Sequence, residues 1–255
     1  MNLHERMKQY EAVSQTYLMR RTPVIIRLDG VAFHTFTRHF DKPMDEVFSN
    51  AMKVTTIYLV NNIQGCVLGY TQSDEISLVL QDYKKLDTDA WFGYNVQKLV
   101  SVSAKMATDQ FHRAFYKATS IVSEEICIDV YWNAMTDNNV GFDSRCFNLP
   151  FEEVNNYLID RQQDAENNSI NLLAQQYYSQ KELDGIKSNE LQNKLFTEQG
   201  VNWNDLPYYQ KRGYLALPNN NPNFKNQLET PIFSKEPEFV NSLIRFDKEE
   251  NKSVR

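Results

Sequence analysis

Two rhythms alternate along the chain, one of helical spacing and one of short apolar runs. Residues 3–20 carry helical spacing and end near Arg20-Arg21. Pro23 then opens a β-branched run, Val24-Ile25-Ile26 continued by Leu28, which predicts a buried strand stopped by Asp29-Gly30. Residues 44–60 return to helical spacing, with Val47, Ala51, Val54 and Tyr58 on one stripe after Lys42-Pro43. Residues 66–71 and 76–80 are strand-like, and Gln72-Ser73-Asp74-Glu75 between them reads as a hairpin turn. The longest helical pattern covers 90–116, with Phe92, Val96, Leu99, Ser103 and Met106 on one stripe. Val100, Ala104, Ala107, Phe111 and Phe115 lie beside it, a width that predicts burial against a sheet. Residues 119–140 fit either a strand pair or an insertion, and 142–149 read as a strand closed by Pro150. A second long helix is predicted over 151–178, a shorter one over 187–199 ended by Gly200, and a short strand over 213–217. From Pro218 the composition turns to Asn, Pro and Lys, and the last residues are expected to fray.

The first part therefore reads strand, helix, strand, strand, helix, strand. That order predicts an α+β ferredoxin-like core, a four-stranded antiparallel sheet backed by two helices, followed by a helical C-terminal extension. The expected organisation is a catalytic domain over 1–150, a helical and strand part of the same compact unit over 151–217, and a partly flexible extension over 218–255. In such a sheet the first and third strands are central neighbours. The end of the first (Asp29) and the turn before the third (Asp74) then meet at one edge.

Composition narrows this little. A 255-residue chain with 42% hydrophobic and 24% charged residues is ordinary for a globular protein. No apolar run approaches the ~20 residues needed to span a bilayer, and the charged N-terminus lacks a signal-peptide core, so cytoplasmic location and no membrane partner are expected. Cys66, Cys127 and Cys146 form no metal-binding spacing. The net charge of −6 argues against a constitutive nucleic-acid binder without excluding a local basic patch.

The chemistry lies at the Asp29/Asp74 edge. Two carboxylates brought together repel, and a divalent cation relieves that repulsion. Mg²⁺ prefers oxygen ligands and typically takes one or two carboxylates plus substrate phosphates. Glu75 is a further candidate ligand. The loop Gly30-Val31-Ala32-Phe33-His34 offers backbone N–H groups that can cradle phosphates, with His34, Lys42 and Lys98 as polar partners. Taken singly, each piece has a plainer reading. Asp-Gly and Ser-Asp-Glu are common turn sequences, a lone His packs or caps, and lone lysines sit on surfaces.

In combination they say more. Arg27-Leu28-Asp29-Gly30, Phe33-His34, Lys42-Pro43 and Tyr70-Thr71-Gln72-Ser73-Asp74-Glu75 occur in an order that resembles the signature of the tRNA(His) guanylyltransferase family. Trp91-Phe92 ahead of Lys98, Phe142-Asp143-x-Arg145, Arg161-Gln162-x-Asp164 followed by Asn168, Gly200-x-x-Trp203 and Lys211-x-Gly213 extend the resemblance over roughly 5–217. It implies a polymerase-palm-like core that adds nucleotides 3′–5′ to the 5′ end of tRNA, with GTP and ATP as substrates. It also implies two Mg²⁺ held by Asp29, the Gly30 carbonyl and Asp74. Nucleotide phosphates would lie among residues 30–34 (Gly30, Val31, Ala32, Phe33, His34), Lys42, Asp45, Ser73 and Lys98. Asp164 and Asn168 would lie near the site where the RNA end is activated. A homotetramer, built as a dimer of dimers with tRNA bound across subunits, is a further implication.

Two departures shape the expectation. Members that add G to histidine tRNA carry a His-Ile-Asn-Asn run, whereas Glu166-Asn167-Asn168-Ser169 stands here. The chain thus looks more like the bacterial and archaeal branch that repairs truncated tRNA 5′ ends. Asn95 also stands where some members carry a basic residue. Two other classes share parts of the pattern: a nucleotidyl cyclase-like palm-domain signalling enzyme, which needs no RNA, and a non-catalytic RNA-binding module.

Overall fold

A computed structural model describes residues 1–120, 122, 127–137, 140–221 and 229–246. Its centre is an antiparallel sheet of β1 (Val24–Val31), β2 (Cys66–Gln72), β3 (Glu75–Leu80), β4 (Gly141–Asn148) and β5 (Tyr214–Ala216) in the order β4-β1-β3-β2-β5. The predicted ferredoxin-like arrangement is the run β4-β1-β3-β2, with β1 and β3 central. The sheet has five strands rather than four, because β5 pairs with the outer edge of β2 through Gly69–Thr71.

One face of the sheet is the apolar core that the helical stripes predicted. Val24, Ile26 and Leu28 of β1 and Ile76, Leu78 and Leu80 of β3 are wholly buried there, beneath the helices Glu46–Asn62 and Val96–Thr119. Phe33, Phe36, Phe48, Phe111, Phe115 and Phe142 interlock over it, with ring centroids 5–6 Å apart. Aromatic pairs at such spacings add to the area term that drives burial.

The opposite face is covered too, which the pattern did not predict. Val154 and Leu158 of the helix Glu153–Ala174 and Val240 and Ile244 of a helix at Pro237–Ile244 pack with Ile25, Val79, Leu215 and Phe233. A third, smaller core gathers Ile170, Leu173, Leu191, Leu195 and Trp203 around the helix Ser188–Gln199. That helix ends as expected at Gly200, whose φ of 69° lets it close the last turn.

Several boundaries differ from the pattern for local reasons. The first helix covers only Leu3–Ala12, capped by the reciprocal Asn2/Glu5 box, and none of its residues is buried. Beyond it Leu18 donates to the Tyr94 carbonyl and Val96 to that of Thr16, so this segment is pinned as extended chain. The pattern over 90–116 breaks at Phe92, Gly93 and Tyr94, all at positive φ, and the helix begins after Asn95, whose side chain accepts from the N–H of Lys98. Phe92, placed on the apolar stripe by spacing, is 42% exposed. β1 does not stop at Asp29 but runs to Val31, because β4 pairs with it through Val31. Within the uncertain 119–140 segment, the described residues 127–137 are helical rather than a strand pair, and Tyr131 packs against Phe40 and Phe115. The remainder of that segment lies outside the described residues.

Candidate functional site

The pleat of β1 decides which side chains reach the site. Its core-facing positions stay apolar, but on the other face Ile25 is followed by Arg27 and Asp29. Register sets Asp143, Asp29 and Glu75 on one rung across β4, β1 and β3, and Arg145, Arg27 and Ser77 on the next. Directly opposed like charges destabilise a sheet, and the arginines answer them. Arg145 lies 3.1 Å from Asp143 and 4.0 Å from Asp29, and Arg27 lies 2.7 Å from Glu75. Asp29 keeps 41% of its side chain exposed.

Asp74 meets this rung from the β2–β3 turn. Gln72 pairs with Glu75 across a two-residue turn in which Ser73 takes a φ of 49°. Gly30 shows how closely strand and turn approach. A Cβ built on it would lie 2.9 Å from Cβ of Asp74 and 2.6 Å from the Phe33 ring, so no larger residue fits there unchanged. Burial, and secondarily the charge of Asp29, hold the Asp74 carboxyl above its ordinary range, while hydrogen bonds from its own N–H and Ser73 oppose the rise. The carboxylates of Asp29 and Asp74, close enough for the charge of one to act on the other, offer oxygen donors of the kind Mg²⁺ takes while completing its shell with water and phosphate. Among the described residues no group of three or more His, Cys, Asp or Glu side chains is arranged to hold a metal ion by itself.

Beside the pair opens a cavity of about 760 Å³. Phe33, His34, Lys42, Asp45, Ser73, Asp74 and Asn168 line it, so seven of the predicted residues converge on one space. Ala32 is left-handed between extended Val31 and helical Phe33, an alternation that turns successive N–H groups toward one point. Phe33 is 2% exposed, and its ring belongs to the aromatic cluster. Among the described residues Lys42 reaches the Thr37 carbonyl, at 3.4 Å, a long bond that an anion could replace.

Other expected residues have different surroundings. Asp45 is 4% exposed; it caps the Glu46–Asn62 helix through the Phe48 N–H at 2.8 Å and accepts from the Tyr131 hydroxyl at 2.8 Å. Those bonds explain its burial without a phosphate. Lys98 is not among the cavity-lining residues; its ammonium sits 5.6 Å from the Phe92 ring. Asp164 pairs with Arg161 at 3.1 Å, half-exposed, one residue before cavity-lining Ala165. Glu75 is buried with its carboxylate between Arg27 and Arg161, the second at 3.3 Å. Its ordinary range is shifted upward by burial, against the pull of both guanidinium groups.

The sequence pattern passed over Lys53, Tyr208, Tyr209 and Tyr214, which close the far side of the cavity. Lys53 lies 4.7 Å from the Tyr214 ring. The only signal was the Lys211-x-Gly213 motif beside them. Gly213, at a φ of 72°, is where a Cβ would meet the Thr71 carbonyl at 2.5 Å, and this close approach carries the tyrosines to the site.

Comparison with known proteins agrees with the resemblance. Residues 4–150, more than half the chain, match the family model for tRNA(His) guanylyltransferase. A bacterial tRNA(His) guanylyltransferase-like protein solved in complex with ATP is 41% identical, with a TM-score of 0.83 over 96% of this chain and 100% of that one. One in complex with GTP is 39% identical, with a TM-score of 0.75 over 94% and 98%. The tRNA(His) guanylyltransferase of Candida glabrata is 28% identical over 232 residues, covering 83% of this chain and 88% of its own.

Proposed function

This chain belongs to the tRNA(His) guanylyltransferase family, and on that premise we propose how its residues carry out 3′–5′ guanylyl transfer to the 5′ end of tRNA. It is a nucleotidyltransferase with a polymerase-palm fold, and nucleoside triphosphates are its substrates. The observation that carries the site assignment is the close approach of the Asp74 turn to Gly30, next to Asp29 on β1, with Asp74 itself lining a cavity shared with His34, Lys42, Ser73 and Asn168.

Asp29, the Gly30 carbonyl and Asp74 would hold two Mg²⁺ ions, which when bound neutralise phosphate charge and favour the attacking hydroxyl as its alkoxide. The chain's own residues then do the positioning. His34, Lys42, Ser73 and the N–H groups around Ala32 hold triphosphate oxygens. Tyr208, Tyr214 and Asn168 form the wall against which a base and ribose rest. Asp164 lies just outside, on the side where the RNA 5′ phosphate is activated.

Two finer readings follow. Glu166 occupies the place of the family's histidine and is fastened to Arg212 at 2.8 Å, which favours repair of truncated tRNA ends over dedicated addition to histidine tRNA. The family resemblance favours RNA bound across a homotetramer, an assembly that would let chains of net charge −6 combine cations from several subunits into one basic groove. No helix among the described residues is long and apolar enough to cross a membrane, and we place the reaction in the cytoplasm.

The test supplies full-length and 5′-truncated tRNAs with Mg²⁺ and each labelled nucleoside triphosphate in turn, then sequences the 5′ ends. Restoration of truncated ends by template-matched nucleotides is expected. No label in any tRNA would overturn the reading, and a cyclic product from GTP alone would establish the cyclase alternative. Light scattering decides the oligomer.

A further inference from the structure

We propose that Glu75 is a positioning residue rather than a metal ligand: it ties the turn carrying Asp74 to the strand carrying Asp29 and to the helix carrying Asp164 and Asn168. The inference rests on the function proposed above.

Glu75 is 5% exposed, and both its oxygens are engaged. Oε2 takes the Arg27 guanidinium at 2.7 Å and that of Arg161 at 3.3 Å. Oε1 accepts from Ser77 Oγ at 3.3 Å, and that hydroxyl shares a 2.7 Å bond with the Tyr157 hydroxyl. A buried carboxylate with three protein donors on its roughly four acceptor sites, two of them cationic, has little left for a metal ion.

Each partner stands at a fixed short distance in sequence from a residue of the site. Glu75 follows Asp74 directly. Arg27 precedes Asp29 by two positions and shares its face of β1. Arg161 lies one turn before Asp164 and two turns before Asn168 on one side of the helix. It also binds Asp160 at 2.5 Å and Asp164 at 3.1 Å. The next residue, Gln162, is held from both sides by the segment after residue 229: it donates to the Pro231 carbonyl at 2.8 Å and accepts from the Phe233 N–H at 3.0 Å. Three separately folded elements therefore meet at one carboxylate. Removing one partner of a buried ion pair is costly because the others are left uncompensated, so the network holds a single arrangement. Transfer of a nucleotidyl group depends on that alignment, since misplacement by about 1 Å can lower a rate about 100-fold.

The test uses the full chain with Glu75→Gln, Arg161→Gln, the double variant and Asp74→Asn. Mn²⁺ binding is followed by electron spin resonance without turnover, and single-turnover addition of GTP to tRNA over a Mg²⁺ series. Glu75→Gln, which keeps the shape, is expected to bind Mn²⁺ within about twofold of the unaltered chain. Its rate at saturating Mg²⁺ should fall about 10- to 100-fold, and Arg161→Gln should add little in the double variant because both act through one contact. Asp74→Asn should lose Mn²⁺. The proposal is overturned if Glu75→Gln loses Mn²⁺ as Asp74→Asn does, if excess Mg²⁺ restores its rate, if its rate is unchanged, or if the two losses multiply. An unaltered chain that never labels tRNA defeats the proposed function instead, and Mn²⁺ binding still decides the role of Glu75.

Discussion

On one side of β1, Val24, Ile26 and Leu28 lie wholly buried under interlocked phenylalanine rings. On the other, Ile25 gives way two positions on to Arg27 and four positions on to Asp29. The first face of the strand carries no charged side chain. The second sets three carboxylates on one rung and answers them with arginines. The same strands thus serve two purposes. Dispersion and burial on the core face fix where the backbone runs, and that rigidity lets the other face keep like charges close together for chemistry. Substitutions on the two faces should therefore separate stability from activity.

The largest effect is expected on the charged face. Asp29→Asn should lower nucleotide addition about 1,000-fold, the several kcal/mol that a metal's charge stabilisation supplies. It should leave thermal stability equal or up to ~1 kcal/mol higher, because it removes a carboxylate from between two others. Calorimetry beside the addition assay checks both, and a large loss of stability would contradict the contrast. The mirror case is Phe111→Ala, which removes a fully buried ring touching five others and should cost ~3–5 kcal/mol by denaturant unfolding. Catalysis by the protein that remains folded should be little changed.

Gly30→Ala tests the seam between the faces. Its methyl group would press on the Phe33 ring and on Asp74, so ~1–3 kcal/mol of stability and a measurable share of the rate should fall together. Asp45→Ala separates a cap from a phosphate contact. A loss of ~1–2 kcal/mol with unchanged KM for GTP is expected, and a KM raised tenfold or more would return Asp45 to the nucleotide site. The smallest effect concerns Cys66, whose thiol burial pushes up to about 12. It should resist iodoacetamide at pH 8 in the native protein and react on unfolding, as read by mass spectrometry.

Much of this was legible in the residues. The periods of β1, β3 and the helix over 96–119 gave the strand order, and the order alone set Asp29 near Asp74. Illegible were features that depend on partners remote in sequence. Tyr214–Ala216 is too short to declare a sheet edge until β2 offers one. The helix Pro237–Ile244 follows a stretch rich in Asn, Pro and Lys, and its Val240 and Ile244 acquire meaning only against Leu215 and Val79. Phe92 has the spacing of a core residue, yet three successive left-handed residues turn it outward.

The sequence by itself determined the palm-like strand order and the placing of Asp29 and Asp74 at one sheet edge, because period-two alternation and turn chemistry act over a few residues and need no knowledge of the rest of the fold; the family was legible separately, in the order of its short motifs. The tertiary structure alone decided what each charge does. Glu75 and Asp74 are neighbours in one turn, but one enters the buried space between Arg27 and Arg161 while the other faces Gly30 and the cavity. A carboxylate's role follows from which charges and how much water surround it, and those are fixed by strand register and by a helix some 90 residues downstream.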